Sequence, residues 1–256
     1  AIALLVPDDR SASILLAIGL VAGYAIVSRV RFEFGDLYVS PEQLVFVPLL
    51  LLAPLPLVPL LVAAGGLLAL AADFSSGSFH RDRWITSIGD SWFAVAPVVV
   101  LAIWAPDDPS LSHIGIYVAA FAAQLAGDFA WSLVRDKLVG QHLPIRTLMR
   151  NYLGAARVDA VLSPLAFFVA LGALDSPFYL LALAPLVWLL DYFSRDRRER
   201  YAAAIELQRA YRGTVMLLSD VLEHDDPYTA EHSRSIVDLV HAVADQLGID
   251  QRERQE

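Results

Sequence analysis

The stretch IGIYVAAFAAQLAGDFAWSLV, residues 114–134, carries one formal charge, Asp128, in a run long enough to cross a bilayer. A helix needs about 20 mainly apolar residues for that. The chain repeats the pattern on both sides. Residues 12–28, 43–55, 57–73, 90–105, 160–174 and 177–193 are also apolar, and short polar segments separate them. The fold class that follows is all-α, a polytopic transmembrane helical bundle. Several runs are shorter than a full span and need their flanks to reach across. Pro48, Pro54, Pro56 and Pro59 make the second and third runs hard to draw as straight helices, so a broken or hairpin pair, shielded by neighbouring helices, is expected there. Ala1 to Pro7 read as the last turns of an earlier apolar helix, which adds a partial eighth span to the seven.

Composition agrees with a lipid solvent. The 256 residues are 57% hydrophobic and only 18% charged, with a mean hydropathy of +0.53 and a net charge of −9, whereas a soluble domain carries about 25% charged residues. The charges are also unevenly placed: residues 1–193 hold 25 of them and residues 194–256 hold 22. An apolar body is therefore followed by a strongly charged, water-facing tail. The absence of cysteine excludes disulfides and thiolate metal sites. An acidic chain without a basic patch excludes nucleic acid as a partner.

Orientation follows from the basic residues. Segments 28–42, 74–89, 135–159 and 194–256 contain 18 of the 19 Lys and Arg, which places them on the cytoplasmic side. The opposite loops, Pro7-Asp8-Asp9, Pro106-Asp107-Asp108-Pro109 and Asp175-Ser176-Pro177, are short and acidic. They leave little room for an external receptor domain, so a signal would be sensed within or near the membrane, whose lipid is the first partner.

Ionisable groups inside spans are costly and mark candidate sites. Gln124 and Asp128, four residues apart, share a helical face with Phe121 and Trp131 near it, a pattern that fits a small polar ligand pocket with aromatic walls. The competing reading has both side chains hydrogen-bonding to a neighbouring helix. A carboxylate at that depth needs a partner: Arg157, a water-filled cavity, or a bound cation or amine. Asp73, Asp90, Asp159 and Asp191 sit near span ends and read as interfacial. In the linker Arg31-Phe32-Glu33-Phe34-Gly35-Asp36, followed by Ser40-Pro41-Glu42, Ser40 is placed to cap a helix with Pro41 in its first turn, which makes the carboxylates there structural.

Beyond the last run, Ser194-Arg195-Asp196-Arg197-Arg198-Glu199-Arg200 forms a juxtamembrane collar suited to anionic headgroups. Ala204, Leu207, Tyr211, Thr214, Leu218 and Val221 then recur at spacings of three and four, the seam of a coiled coil. A homodimer through this helix is expected, although the same stripe would also serve to pack on a following domain.

The segment from Leu217 to Ile236, continuing through Val243-Ala244-Asp245-Gln246-Leu247-Gly248-Ile249, resembles the two opening helices of the HD-GYP family, bacterial metal-dependent phosphohydrolases that degrade cyclic di-GMP. Asp226, Pro227, Tyr228, Thr229, His232 and Ser233 match that family's D-P-Y-T-x-x-H-S turn, and the likeness covers about the last 45 residues. In physical terms, Pro227 stops one helix and Thr229 caps the next, which puts His232 in its first turn. The resemblance implies that His232 is a metal ligand in a dinuclear iron, manganese or zinc site of the intact protein. Tyr228 stands where some members have a glutamate that binds a third metal, so two metals are implied. The family's His-Asp doublet, its lysine, its later histidines and its G-Y-P loop would follow Glu256. This segment is therefore expected to hold no catalytic residue and no bound metal, and His224-Asp225, which precedes the turn, reads as a solvated helix end.

The organisation expected is a multipass sensory domain over 1–193, a signalling helix over 194–222, and the first helices of an HD-type domain over 223–256. The intact protein would be a cyclic di-GMP phosphodiesterase in the bacterial inner membrane with a cytoplasmic C-terminus. Two alternatives remain: a small-molecule-binding or transport-related membrane protein, and a sensor with a degenerate, binding-only HD domain. A sensor histidine kinase fits worse, because Ser233-Arg234-Ser235-Ile236 lacks the acidic residue and the proline of a phospho-acceptor box.

Overall fold

The computed structural model describes residues 13–34, 37–75, 91–104, 109–139, 144–225, 235–240, 242–244 and 246. Each of the seven apolar runs contains a helix. In chain order these are α1 (Ile14–Val27), α2 (Gln43–Leu52), α3 (Val58–Ser75), α4 (Val95–Trp104), α5 (Ile114–Val139), α6 (Ile145–Asp175) and α7 (Ala184–Asp225). Short 3₁₀ turns lead into α3, α4, α5 and α7. Four helical segments are long and apolar enough to cross a membrane: Leu55–Ala72, Leu111–Lys137, Ile145–Asp175 and Pro177–Leu218. Ile14–Val27, Gln43–Leu52 and Ser91–Trp104 are shorter apolar helices, so among the described residues of the apolar body some helices reach span length and others do not. The chain divides into two compact units, residues 1–195 and 196–256.

The first unit turns apolar side chains both inward and outward, as lipid allows. On α1, Leu20, Tyr24 and Val27 are buried at spacings of four and three, while Ile14, Leu15, Ile18 and Ile26 are exposed. Ser13 starts this helix by accepting the Leu16 N–H at 3.2 Å. Helix α2 lies at the centre of the unit. Nine of its ten residues are buried, and it packs chiefly against α6. Ala166 and Ala170 on α6 have no exposed surface, and such small side chains let helices approach closely in lipid. The break expected between the second and third runs falls at Ala53-Pro54, whereas Pro48 stays inside α2.

Several details depart from the sequence expectation. The linker after α1 is not wholly irregular, although the chain is overwhelmingly helical: Phe32–Phe34 (β1) and Leu37–Val39 (β2) pair antiparallel with Phe32 opposite Val39. The hairpin is retained because Val39 packs with Leu44, Val158 and Leu162. Ser40 does not cap α2. Its hydroxyl donates to the Ser28 carbonyl, and Glu42 occupies the cap position. Most of segment 135–159, expected to be a basic loop, belongs to α5 and α6, because Tyr152 gives that stretch something to pack on: its ring lies 5.1 Å from Phe129 and its hydroxyl donates to the Leu125 carbonyl.

Close approach of α1 and α3 requires Gly65. A Cβ there would lie 2.8 Å from Tyr24 Cδ1 and 3.2 Å from the Val21 carbonyl oxygen. Gly65→Ala should therefore destabilise the bundle by about 1–3 kcal/mol, the usual cost of overpacking. Gly19→Ala, with nothing within 4 Å, should leave the melting temperature in lipid nanodiscs unchanged. Equal melting temperatures for the two variants would show that the α1–α3 contact is loose.

Candidate functional site

An apolar cavity and a polar network lie inside the first unit. The first is a cavity of about 190 Å³ walled by α2, α4, α5 and α6. Val47, Leu50, Leu51 and Leu101 line its inner side, and Tyr117, Phe121, Phe167 and Phe168 supply four aromatic rings. Gln124 is the one amide on the wall and is 5% exposed. Among the described residues, nothing hydrogen-bonds to its side chain. Ala160 and Pro164 of α6 also face the cavity. Proline has no N–H to offer the carbonyl four residues earlier, so the Ala160 carbonyl loses its helical donor beside the same space. Ser163, between them, donates its hydroxyl to the Asp159 carbonyl at 2.7 Å.

The second feature is a polar network that ties α1, α2, α5 and α6 together. Tyr24 donates to Glu42 Oε2 at 2.6 Å. The amide of Gln43, 3% exposed, bonds to the Asp159 carboxylate, and the charges of Glu42 and Asp128 act on Asp159 as well. Asp128 also acts on Tyr152. The Tyr24–Glu42 and Gln43–Asp159 hydrogen bonds join α1 to α2 and α2 to α6, as polar groups in hydrocarbon can, whereas the Glu42 and Asp128 carboxylates repel that of Asp159.

The sequence expectation is thus divided. Gln124 and Phe121 are on the cavity wall, whereas Asp128 is not; one helical turn further along α5, it belongs with the network instead. Arg157, suggested as its partner, is exposed. Asp159 falls near the middle of the 31-residue α6, which begins at Ile145, and its carboxylate accepts from the Gln43 amide. Glu42, Gln43, Tyr24 and Tyr152 were not singled out as a group. Tyr24, Glu42 and Gln43 are polar side chains next to or within apolar runs, whereas Tyr152 lies in the polar segment 135–159, and only the packing of non-adjacent helices joins them.

Comparison with family models, curated proteins and solved structures finds no match to the chain.

Asp226, Pro227, Tyr228, Thr229, His232 and Ser233 lie outside the described residues. Helix α7 ends at Asp225 immediately before them, and a further helical segment spans Ser235–Ala244. Among the described residues, no group of three or more His, Asp or Glu could hold a metal ion. The acidic side chains that meet inside the bundle are joined to phenols and amides, an arrangement suited to clamping helices.

Proposed function

We propose that the chain is the membrane input domain and transmitter helix of a signal-regulated phosphodiesterase that hydrolyses cyclic di-GMP. The observation that carries this reading is the D-P-Y-T-x-x-H-S sequence at Asp226–Ser233, which follows directly on a 42-residue helix that starts in the apolar body. The intact protein sits in the bacterial inner membrane with its C-terminus in the cytoplasm. It holds a dinuclear iron, manganese or zinc site to which His232 contributes, and such metals supply Lewis-acid activation of the phosphodiester.

Dimerisation belongs to the same proposal. All six seam residues, from Ala204 to Val221, are exposed within their unit, and the Thr214 hydroxyl is already satisfied by the Ala210 carbonyl at 3.0 Å, so it adds no unmet polar group to an apolar seam. A second reading, a small-molecule-binding or transport-related membrane protein, draws on the cavity at Gln124. A degenerate HD domain that binds without hydrolysing is the third.

Metal-loaded intact protein incubated with cyclic di-GMP decides among them. The expected product is the linearised dinucleotide. Hydrolysis of a different phosphoester would overturn the substrate assignment, and binding without turnover would establish the degenerate domain.

A further inference from the structure

The cavity at Gln124 has the size, lining and hydrogen-bonding groups of a binding site. At about 190 Å³ it exceeds the roughly 150 Å³ of a dry apolar cavity that accepts benzene. One substituted ring therefore fits. Four aromatic side chains line it, two of which, Tyr117 and Phe167, stand 4.9 Å apart and tilted by 52°. Rings prefer such edge-to-face and offset surroundings. Val118 and Phe168, 60% and 59% exposed, form its outer rim on the surface of the apolar body. A ligand can thus enter from the hydrocarbon.

The polar groups narrow the chemistry. The Gln124 amide is 95% withdrawn from the surface, faces the cavity, and has no partner among the described residues. An amide left unpaired in hydrocarbon is costly, and a backbone carbonyl freed by proline is costly for the same reason. The Ala160 carbonyl and the Gln124 amide thus offer acceptors and a donor to one small neutral group. No acidic or basic side chain is on the wall, which disfavours the cation or amine that a site centred on Asp128 would take.

We infer that this cavity binds a neutral, single-ring aromatic molecule carrying one hydroxyl group. The ring lies among Tyr117, Phe121, Phe167 and Phe168, and the hydroxyl pairs with the Gln124 amide and the Ala160 carbonyl. This deepens the reading of the membrane body as an input domain and rests on it for its signalling consequence. Binding itself is measured without any enzymatic output, so failure of one reading is distinguishable from failure of the other.

The test uses the 256-residue chain in lipid nanodiscs with a diazirine derivative of benzyl alcohol as photolabel. Labelling should saturate and map to peptides containing Tyr117–Phe121 and Ser163–Phe168. Benzyl alcohol should displace it at a concentration in the bilayer about tenfold lower than toluene does, the worth of one hydrogen bond. Gln124→Leu should abolish that preference while leaving toluene displacement intact. Ala160→Leu, at an exposed position whose side chain intrudes on the cavity, should reduce labelling for both compounds. Non-saturable labelling, equal displacement by the two compounds in the native chain, or an undiminished preference in Gln124→Leu would overturn the site; these results would mean that acyl chains or water fill it.

Discussion

His232→Ala in the intact protein should lower cyclic di-GMP hydrolysis by on the order of 100-fold or more, with a parallel loss of bound metal. Disturbing even the groups that support metal ligands costs about 10–100-fold, and a lost ligand should cost at least as much. The position is specific because the sequence has a helix-stopping proline, Pro227, and a capping threonine, Thr229, just ahead of His232. His224 provides the contrast. It lies in α7, ahead of the matched D-P-Y-T-x-x-H-S positions, so His224→Ala should leave turnover within about twofold. Turnover and metal content are measured on the same preparations. If His232→Ala kept both, the likeness to the HD-GYP turn would carry no chemistry.

The largest loss of stability is expected from Phe46→Ala. Phe46 has no exposed surface, and its ring meets Phe93 edge-on at 4.8 Å and 61°. Truncating a buried phenylalanine costs about 3–5 kcal/mol in water-soluble cores, partly through transfer from water and partly through the cavity left behind. Lipid is as apolar as the protein interior, so the transfer part shrinks while the packing part remains. A loss near the lower end, about 3 kcal/mol, follows. Phe178, 78% exposed on the surface of the apolar body, should tolerate the same substitution with almost no change. Equilibrium unfolding in mixed micelles checks both. Equal midpoints for the two variants would show that α2 is not the packed centre of the bundle.

Much of the helical layout was legible in the sequence because lipid demands it: a bilayer core offers no water to the backbone, so an apolar run such as 114–134 must pair its own N–H and C=O groups, which a helix does. Lengths were less legible. The stretch from Ile145 to Asp159 is polar enough to read as a loop, and it became helix because Tyr152 packs on Phe129 and reaches the Leu125 carbonyl, a contact between residues 27 positions apart. The hairpin had a local signal in Gly35-Asp36 between Phe-Glu-Phe and Leu-Tyr-Val, a dipeptide typical of tight β connections. Its brevity hid it. Of the candidate site, Gln124 could be found from sequence because an amide in an apolar run stands out. Separating it from Asp128 required the neighbouring helices, since spacing along one helix cannot tell which groups share a cavity.

Helix α2 has ten residues, or about 15 Å at 1.5 Å per residue, against a hydrocarbon core of about 30 Å. By itself it is too short to remain across a bilayer, and the wall it packs on, α6, starts roughly 90 residues later in the chain. At about 5–20 residues per second of synthesis, the ribosome needs about 5 to 20 seconds to supply that wall. For that interval Gln43–Leu52 has only α1 and α3 to pack on and lacks its principal neighbour, and Gln43 lacks the Asp159 that bonds its amide. The order of manufacture thus differs from the order of packing: the segment that ends at the centre of the bundle is made early and seated late.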